Sequence, residues 1–168
     1  REAALLETSK GHAKSFMQRH TIPTANFAAC TSRQEALAAI DLFHLPVVIK
    51  ADGLAAGKGV LICETKLQAE HAIAGLFSGE LLGAVESSVV VEEFLTGEEL
   101  SFLVLCDGKH AVPLVPAQDH KRLGEGDTGP NTGGMGVYST DAMLDAPMRT
   151  WILEHIAQKT VAGMAAEE

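Results

Sequence analysis

Helical and extended patterns alternate along this chain. Ala13, Phe16, Met17 and His20 fall on one stripe at helical spacing, and Ser9 stands where an N-cap belongs, which predicts a helix over 10–20. Lys10 and Lys14 project from one face of that helix. Thr21-Ile22-Pro23-Thr24 ends it, because the residue before proline is pushed toward extended backbone. Ser32-x-x-Glu35 reads as a capping box for a helix over 33–44, and Thr65-x-x-Gln68 as a second one for a helix through 77. Apolar strands are expected at 47–50 and 59–63, with a glycine-rich loop over 51–58, and at 89–94 after a loop over 78–86. Segments 99–106 and 109–115 pair across the hairpin signal Asp107-Gly108. The stretch 116–138 lacks periodicity and holds six of the sixteen glycines, so a long functional or disordered loop is expected there. A helix over 148–166 closes the pattern.

The β-α-β-β-α-β order over 26–92 predicts a small α+β lobe. It is preceded by a helical segment over 1–25 and followed by a second region over 93–168. An apolar fraction of 46% among 168 residues is enough for a packed core. With 22 acidic and 13 basic residues the formal charge is −9, which leaves no overall field for a nucleic-acid backbone or an anionic membrane. The longest apolar runs fall far short of the roughly 20 residues of a membrane helix. Cys30, Cys63 and Cys106 form no CxxC and have no nearby histidine pair. They are expected to be packed, reduced thiols in a cytoplasm-like compartment, and no zinc site is expected. Neither Arg1-Glu2-Ala3-Ala4 nor Ala165-Ala166-Glu167-Glu168 has turn chemistry, so the chain is expected to be part of a longer protein.

Three segments have the composition of binding sites. In Lys50-Ala51-Asp52-Gly53-Leu54-Ala55-Ala56-Gly57-Lys58-Gly59, the glycines leave backbone N–H groups free to face a phosphate, and Lys50 and Lys58 add positive charge. It is not a Walker A loop: the spacing is one residue short, and Gly59 replaces the magnesium-holding hydroxyl. A lid over phosphates and a mobile hairpin turn both fit. Glu92-Glu93-Phe94-Leu95-Thr96-Gly97-Glu98-Glu99 reads as a solvated acidic edge or as a hinge whose backbone meets a purine while Glu99 accepts from ribose hydroxyls. Asp119-His120-Lys121-Arg122 and Pro130-Asn131-Thr132-Gly133-Gly134-Met135-Gly136 combine phosphate- or carboxylate-clamping cations with close-approach glycines, or form an ordinary polar loop. No carboxylate pair at a strand end is suited to magnesium.

Together, and in order from residue 6 to about 164, these segments resemble the ATP-grasp superfamily and within it the glycinamide ribonucleotide synthetases (phosphoribosylamine–glycine ligases). The carrying motifs also include Leu6-Glu7-x-Ser9-Lys10 and His20-Thr21-Ile22-Pro23-Thr24-Ala25. The resemblance implies an α+β ATP-grasp fold, with ATP between a small lid lobe over 26–92 and part of the larger ATP-binding lobe over 93–168. It implies that Lys10 and Lys50 contact the phosphates, that Gly53, Gly57, Lys58 and Gly59 belong to the covering loop, and that Glu92, Glu93, Phe94 and Leu95 form the adenine hinge. Glu99 would hold the ribose, and Arg122 and Asn131 would lie near the triphosphate. Asp119, Lys121, Thr132, Gly133, Gly134 and Met135 would line the region where substrate meets ATP. The implied reaction is ATP-dependent ligation of glycine to 5-phosphoribosylamine through glycyl phosphate, a cytoplasmic step of purine synthesis. Other ATP-grasp ligases and a nucleotide-binding module without catalysis remain alternatives. The family's N-terminal domain, its E-x-N metal motif, the R-F-G-D-P-E run and the C-terminal domain have no counterpart here. Magnesium ligands are therefore expected beyond Glu168, and the chain alone is expected not to catalyse ligation.

Overall fold

The computed structural model describes residues 2–55, 59–126 and 128–167. The chain divides into two compact units, one of Arg1–Ser15 and Thr24–Thr96, the other of Phe16–Pro23 and Gly97–Glu168.

The first unit is built on an antiparallel sheet of β1 (Phe27–Cys30), β2 (Val47–Ala51), β3 (Val60–Cys63) and β4 (Val89–Glu93), in the order β1-β4-β2-β3. The central strands read as unbroken apolar runs because both of their faces are covered: Val47, Val48, Ile49, Val89, Val90 and Val91 are all buried. On one face Val47, Ile49, Val89 and Val91 meet helices α3 (Arg33–Ile40) and α4 (Lys66–Ser78), which bring in Ala36, Ile40, Ile73 and Leu76. Each large aliphatic side chain buried there contributes about 1.5–3 kcal/mol. α1 (Leu5–Thr8) leads into α2 (Lys10–Arg19), whose first turn comes toward the other face. A Cβ at Gly11 would lie 3.6 Å from that of Ala29 on β1.

The Thr65–Gln68 capping box is complete, and Gly79 ends α4 in a left-handed conformation with φ 80°. At Ser32 the box is only half formed. The Ser32 hydroxyl accepts from Glu35 N at 3.2 Å, while the Glu35 carboxylate reaches one residue further back, to Thr31 N at 2.8 Å. Helix α3 stops at Ile40 rather than 44, where Leu42 N and Phe43 N turn back to Ala39 O and Ile40 O ahead of Pro46. At the end of α2, Thr21 has φ 52°, and Ile22 N closes on Met17 O at 2.8 Å.

The second unit holds two hairpins and a helical segment. Strands β5 (Val104–Cys106) and β6 (Ala111–Pro113) pair across Asp107-Gly108, so the expected strand over 99–106 is reduced to its last residues plus a bridge from Ser101 to Ala117. The stretch expected to be a loop over 116–138 is instead a second hairpin of β7 (Ala117–Gly124) and β8 (Thr128–Ser139). Nearly all of β8 is exposed, so no side-chain alternation was required of it, and its pairing slips at Arg122. Helices α5 (Ala146–Ile152) and α6 (Gln158–Glu167) are joined by a π turn at Leu153–Ala157, and α5 starts before 148 because Asp145 caps it at Met148 N. Cys30 and Cys63 are buried, and burial raises their thiol pKa values, whereas Cys106 is exposed and does not pack as expected.

Gly163 of α6 sits against Phe16 and His20, and a Cβ there would lie 2.8 Å from Phe16 Cζ and from His20 Cγ. Phe16 is 1% exposed and cannot yield. Gly163→Ala is expected to cost about 1–3 kcal/mol, read as a lower midpoint in thermal or urea unfolding. In the same unit, Glu167 accepts from Arg19 Nε and NH2 at 2.9 Å each, and its Oε1 lies 2.8 Å from His20 Nε2. The arginine first, and then the histidine, hold the Glu167 pKa at about 2, below its ordinary 4.5. A depressed acid pKa stabilises above the unfolded value, so this anchor is fully present above about pH 4.5 and lost as pH falls toward 2. Arg19→Ala is expected to move the Glu167 titration, followed by carboxyl NMR, up toward 4.5.

Candidate functional site

Two of the first unit's candidates, Lys50 and Glu92, share the sheet face that also carries Val48 and Val90. The register sets Glu92 of β4 opposite Val48 of β2 and Phe27 of β1, with Lys50 one diagonal step away. Glu92 is 3% exposed. Its Oε2 accepts from Lys50 Nζ at 2.8 Å and lies 3.2 Å from Lys14 Nζ. Its Oε1 is buried and, among the described residues, has no hydrogen-bond partner. Such an acceptor is costly in a folded protein, and a donor from a ligand would satisfy it. Burial lowers the Lys14 pKa, with the Glu92 charge pulling the other way.

Glu93 points elsewhere. It accepts from Asn26 N at 2.7 Å and Asn26 Nδ2 at 3.1 Å, and those bonds, the backbone one first, lower its pKa. Phe94 and Leu95 follow with exposed side chains. Phe94 and Glu93 help line an open cavity of about 430 Å³ with Asn26, Phe43, Leu45 and Pro46.

Asp52 ties the start of α2 to the loop after β2. Its carboxylate accepts from Gly11 N at 2.6 Å, from Ser9 Oγ at 3.0 Å and from Ser88 Oγ at 3.0 Å. Its carbonyl accepts from Lys10 N at 3.1 Å. Lys10 Nζ donates to Gly53 O at 2.8 Å, so Lys10 lies against the glycine loop while Lys14, one turn on, joins Lys50 at Glu92. Gly59 has a packing reason of its own: a Cβ there would lie 2.6 Å from that of Ala55. Gly57 and Lys58 lie outside the described residues. Lys14 and Asp52 were not among the sequence candidates. Their signals were present, in the spacing of Lys14 from Lys10 and in the acid inside the glycine motif.

In the second unit, the hairpin of β7 and β8 gathers the remaining candidates. Arg122 stands opposite Asn131 and donates from NH1 to Gly129 O at 2.9 Å. Lys121 Nζ lies 3.2 Å from Glu99 Oε1 and 3.5 Å from Asp119 Oδ2, and the Glu99 bond raises its pKa. Thr132 Oγ1 donates to Lys121 O at 2.9 Å and accepts from Gly134 N at 3.1 Å. Gly133 and Met135 are exposed. Glu99 also lines an open cavity of about 440 Å³ with Glu98, Leu100, Gln118, Tyr138 and Thr140. His120 stacks on Tyr138 with ring centroids 5.8 Å apart. Among the described residues, no cluster of three or more His, Cys, Asp or Glu is placed to hold a metal ion, and no helix is long and apolar enough to cross a membrane.

The family model for the phosphoribosylglycinamide synthetase ATP-grasp (A) domain matches residues 8–168. The chain is 49% identical to a phosphoribosylamine–glycine ligase of Xanthomonas axonopodis pv. citri, over 99% of this chain and 38% of the relative. It is also 49% identical to the ligase of that name from Vibrio cholerae, over 98% of this chain and 38% of the relative. It thus spans about 38% of the length of these curated relatives. Among solved structures, the phosphoribosylamine–glycine ligase of Thermotoga maritima superposes with a TM-score of 0.89 at 42% identity, over 99% of this chain and 42% of that one. A biotin carboxylase from Campylobacter jejuni, solved with β-γ-ATP, gives 0.76 at 20% identity over 96% of this chain and 36% of that one, a likeness of fold alone.

Proposed function

This chain belongs to the phosphoribosylglycinamide synthetase ATP-grasp (A) domain family, and from that premise we propose that it forms ATP-binding parts of a phosphoribosylamine–glycine ligase. One observation carries the nucleotide assignment most directly: a buried glutamate grips Lys50 with one oxygen and leaves the other without a donor. An adenine amino group is a donor of the kind Oε1 lacks. Lys50, 26% exposed at its side chain, can reach a phosphate. In this reading Lys10, Lys50 and the loop of Gly53, Gly57, Lys58 and Gly59 serve the phosphates. The backbone of Glu92, Glu93, Phe94 and Leu95 serves the base, and Glu99 serves the ribose. Arg122 and Asn131 serve the triphosphate. Asp119, Lys121, Thr132, Gly133, Gly134 and Met135 serve the region where substrate meets ATP.

The reaction then runs in two displacements. A glycine carboxylate oxygen attacks the γ-phosphorus, ADP leaves, and glycyl phosphate forms. The amine of 5-phosphoribosylamine attacks the acyl carbon, phosphate leaves, and the nitrogen gives up a proton. Both steps need positioned reactants and neutralised phosphate charge rather than a protein nucleophile, which suits a site of lysines, an arginine and glycine backbone. Magnesium would neutralise phosphate charge when bound, held by residues other than those described. A cytoplasmic setting belongs to the same proposal.

A segment exchange tests it. These 168 residues replace the matching stretch of the Thermotoga maritima ligase, and formation of glycinamide ribonucleotide is assayed with ATP, glycine and 5-phosphoribosylamine. The expected result is ligation that is lost on Lys50→Met. A folded chimera that binds ATP and forms no product would contradict the ligase assignment and leave a nucleotide-binding module.

A further inference from the structure

Two lysines share one oxygen of Glu92, and they are held differently. Besides Glu92 Oε2 at 3.2 Å, Lys14 Nζ donates to Thr24 Oγ1 at 2.7 Å and to Ala25 O at 3.4 Å. It also lies 5.7 Å from the centroid of the Phe27 ring, and its side chain is 12% exposed. Lys50 Nζ has Glu92 as its one hydrogen-bond partner among the described residues, and its side chain is 26% exposed. One cation is tethered at several points and the other at a single point.

We propose that Lys14 is a positioning residue for the nucleotide: it is the standing counter-ion of Glu92, and it thereby releases Lys50 to a phosphate. The inference rests on the nucleotide reading above. A carboxylate whose side chain is 4% exposed is costly to leave without a cation. Were Lys50 its sole partner, moving that ammonium to a phosphate would strand Glu92. With Lys14 in place, Lys50 exchanges one anionic partner for another while the carboxylate keeps a cation and its orientation. Lys14 touches no phosphate in this scheme. It acts through Glu92 and Lys50.

The test is the ATP affinity, by titration calorimetry, of the unmodified chain, Lys14→Met, Glu92→Gln and the double variant, with thermal unfolding of each in parallel. Lys14→Met is expected to weaken ATP binding by about 10- to 100-fold, because Lys50 then stays on Glu92. Adding Glu92→Gln keeps an acceptor oxygen, removes the charge that retains Lys50, and restores most of the affinity. Lys14→Arg keeps the cation and the binding. A loss that persists in the double variant would mean that Lys14 only packs α2 against β1, and would overturn the inference. Tight binding by Lys14→Met would overturn it too, while leaving the nucleotide reading intact. An unmodified chain that takes no ATP overturns the nucleotide reading and this inference with it. Should Lys14→Met not fold, the neutral, hydrogen-bonding Lys14→Gln carries the same comparison.

Discussion

Replacing Lys14 and Lys50 together by methionine is expected to destabilise their unit by about 3–5 kcal/mol at neutral pH, the usual cost of stripping a buried ion pair of one sign. The double variant leaves Glu92, with a side chain 4% exposed, facing apolar surroundings without a cation. Each single replacement is expected to cost less, because the other lysine remains within 3.2 Å of Oε2. Adding Glu92→Leu is expected to recover most of the loss, since a well-packed apolar set commonly matches or exceeds a buried ion cluster in stability. Urea unfolding of the unmodified chain and the four variants checks the order. A double variant as stable as the unmodified chain would show that Glu92 is not held as described.

Asp52→Ala carries the second large effect, about 2–4 kcal/mol, from the loss of hydrogen bonds to a charged acceptor. Three donors lose their partner at once: Gly11 N, Ser9 Oγ and Ser88 Oγ. The damage is expected to be local as well as global. Amides at the start of α2 and in the loop after β2 should exchange with solvent faster than those of α3 and α4. Asp52→Asn keeps one acceptor oxygen and is expected to lose less. Uniform exchange protection in Asp52→Ala would contradict the role given to this carboxylate as a clip.

The small α+β lobe was legible because each of its signals has a local cause. The side-chain oxygens of Ser32 and Thr65 cap the two helices as their spacing foretold, and the valine runs became the covered central strands. The hairpin of β7 and β8 was not legible. A strand shows itself in sequence through a buried face, and β8 has almost none within its unit. The same stretch was nevertheless readable as chemistry, because Gln118 to Arg122 and Gly129 to Gly136 carry the resemblance to the family that the chain belongs to. Among the site residues, Lys50 could be singled out from its place beside the glycine loop. Lys14 and Asp52 carried weaker local signals, because what each does depends on partners far along the chain, Glu92 on β4 for Lys14 and Ser9, Gly11 and Ser88 for Asp52, which only the fold brings together.

In the proposed function, the sheet face of Lys50 and Glu92 receives a nucleotide. The most direct measurement is an ATP titration of the chain followed by amide NMR, repeated on Lys50→Met. Saturable shifts are expected at Lys50, Asp52, Gly53 and Glu92 through Leu95, with binding at least tenfold weaker in the variant, the loss of a charge-assisted contact. Shifts confined to other residues, or equal affinity without Lys50, would contradict it.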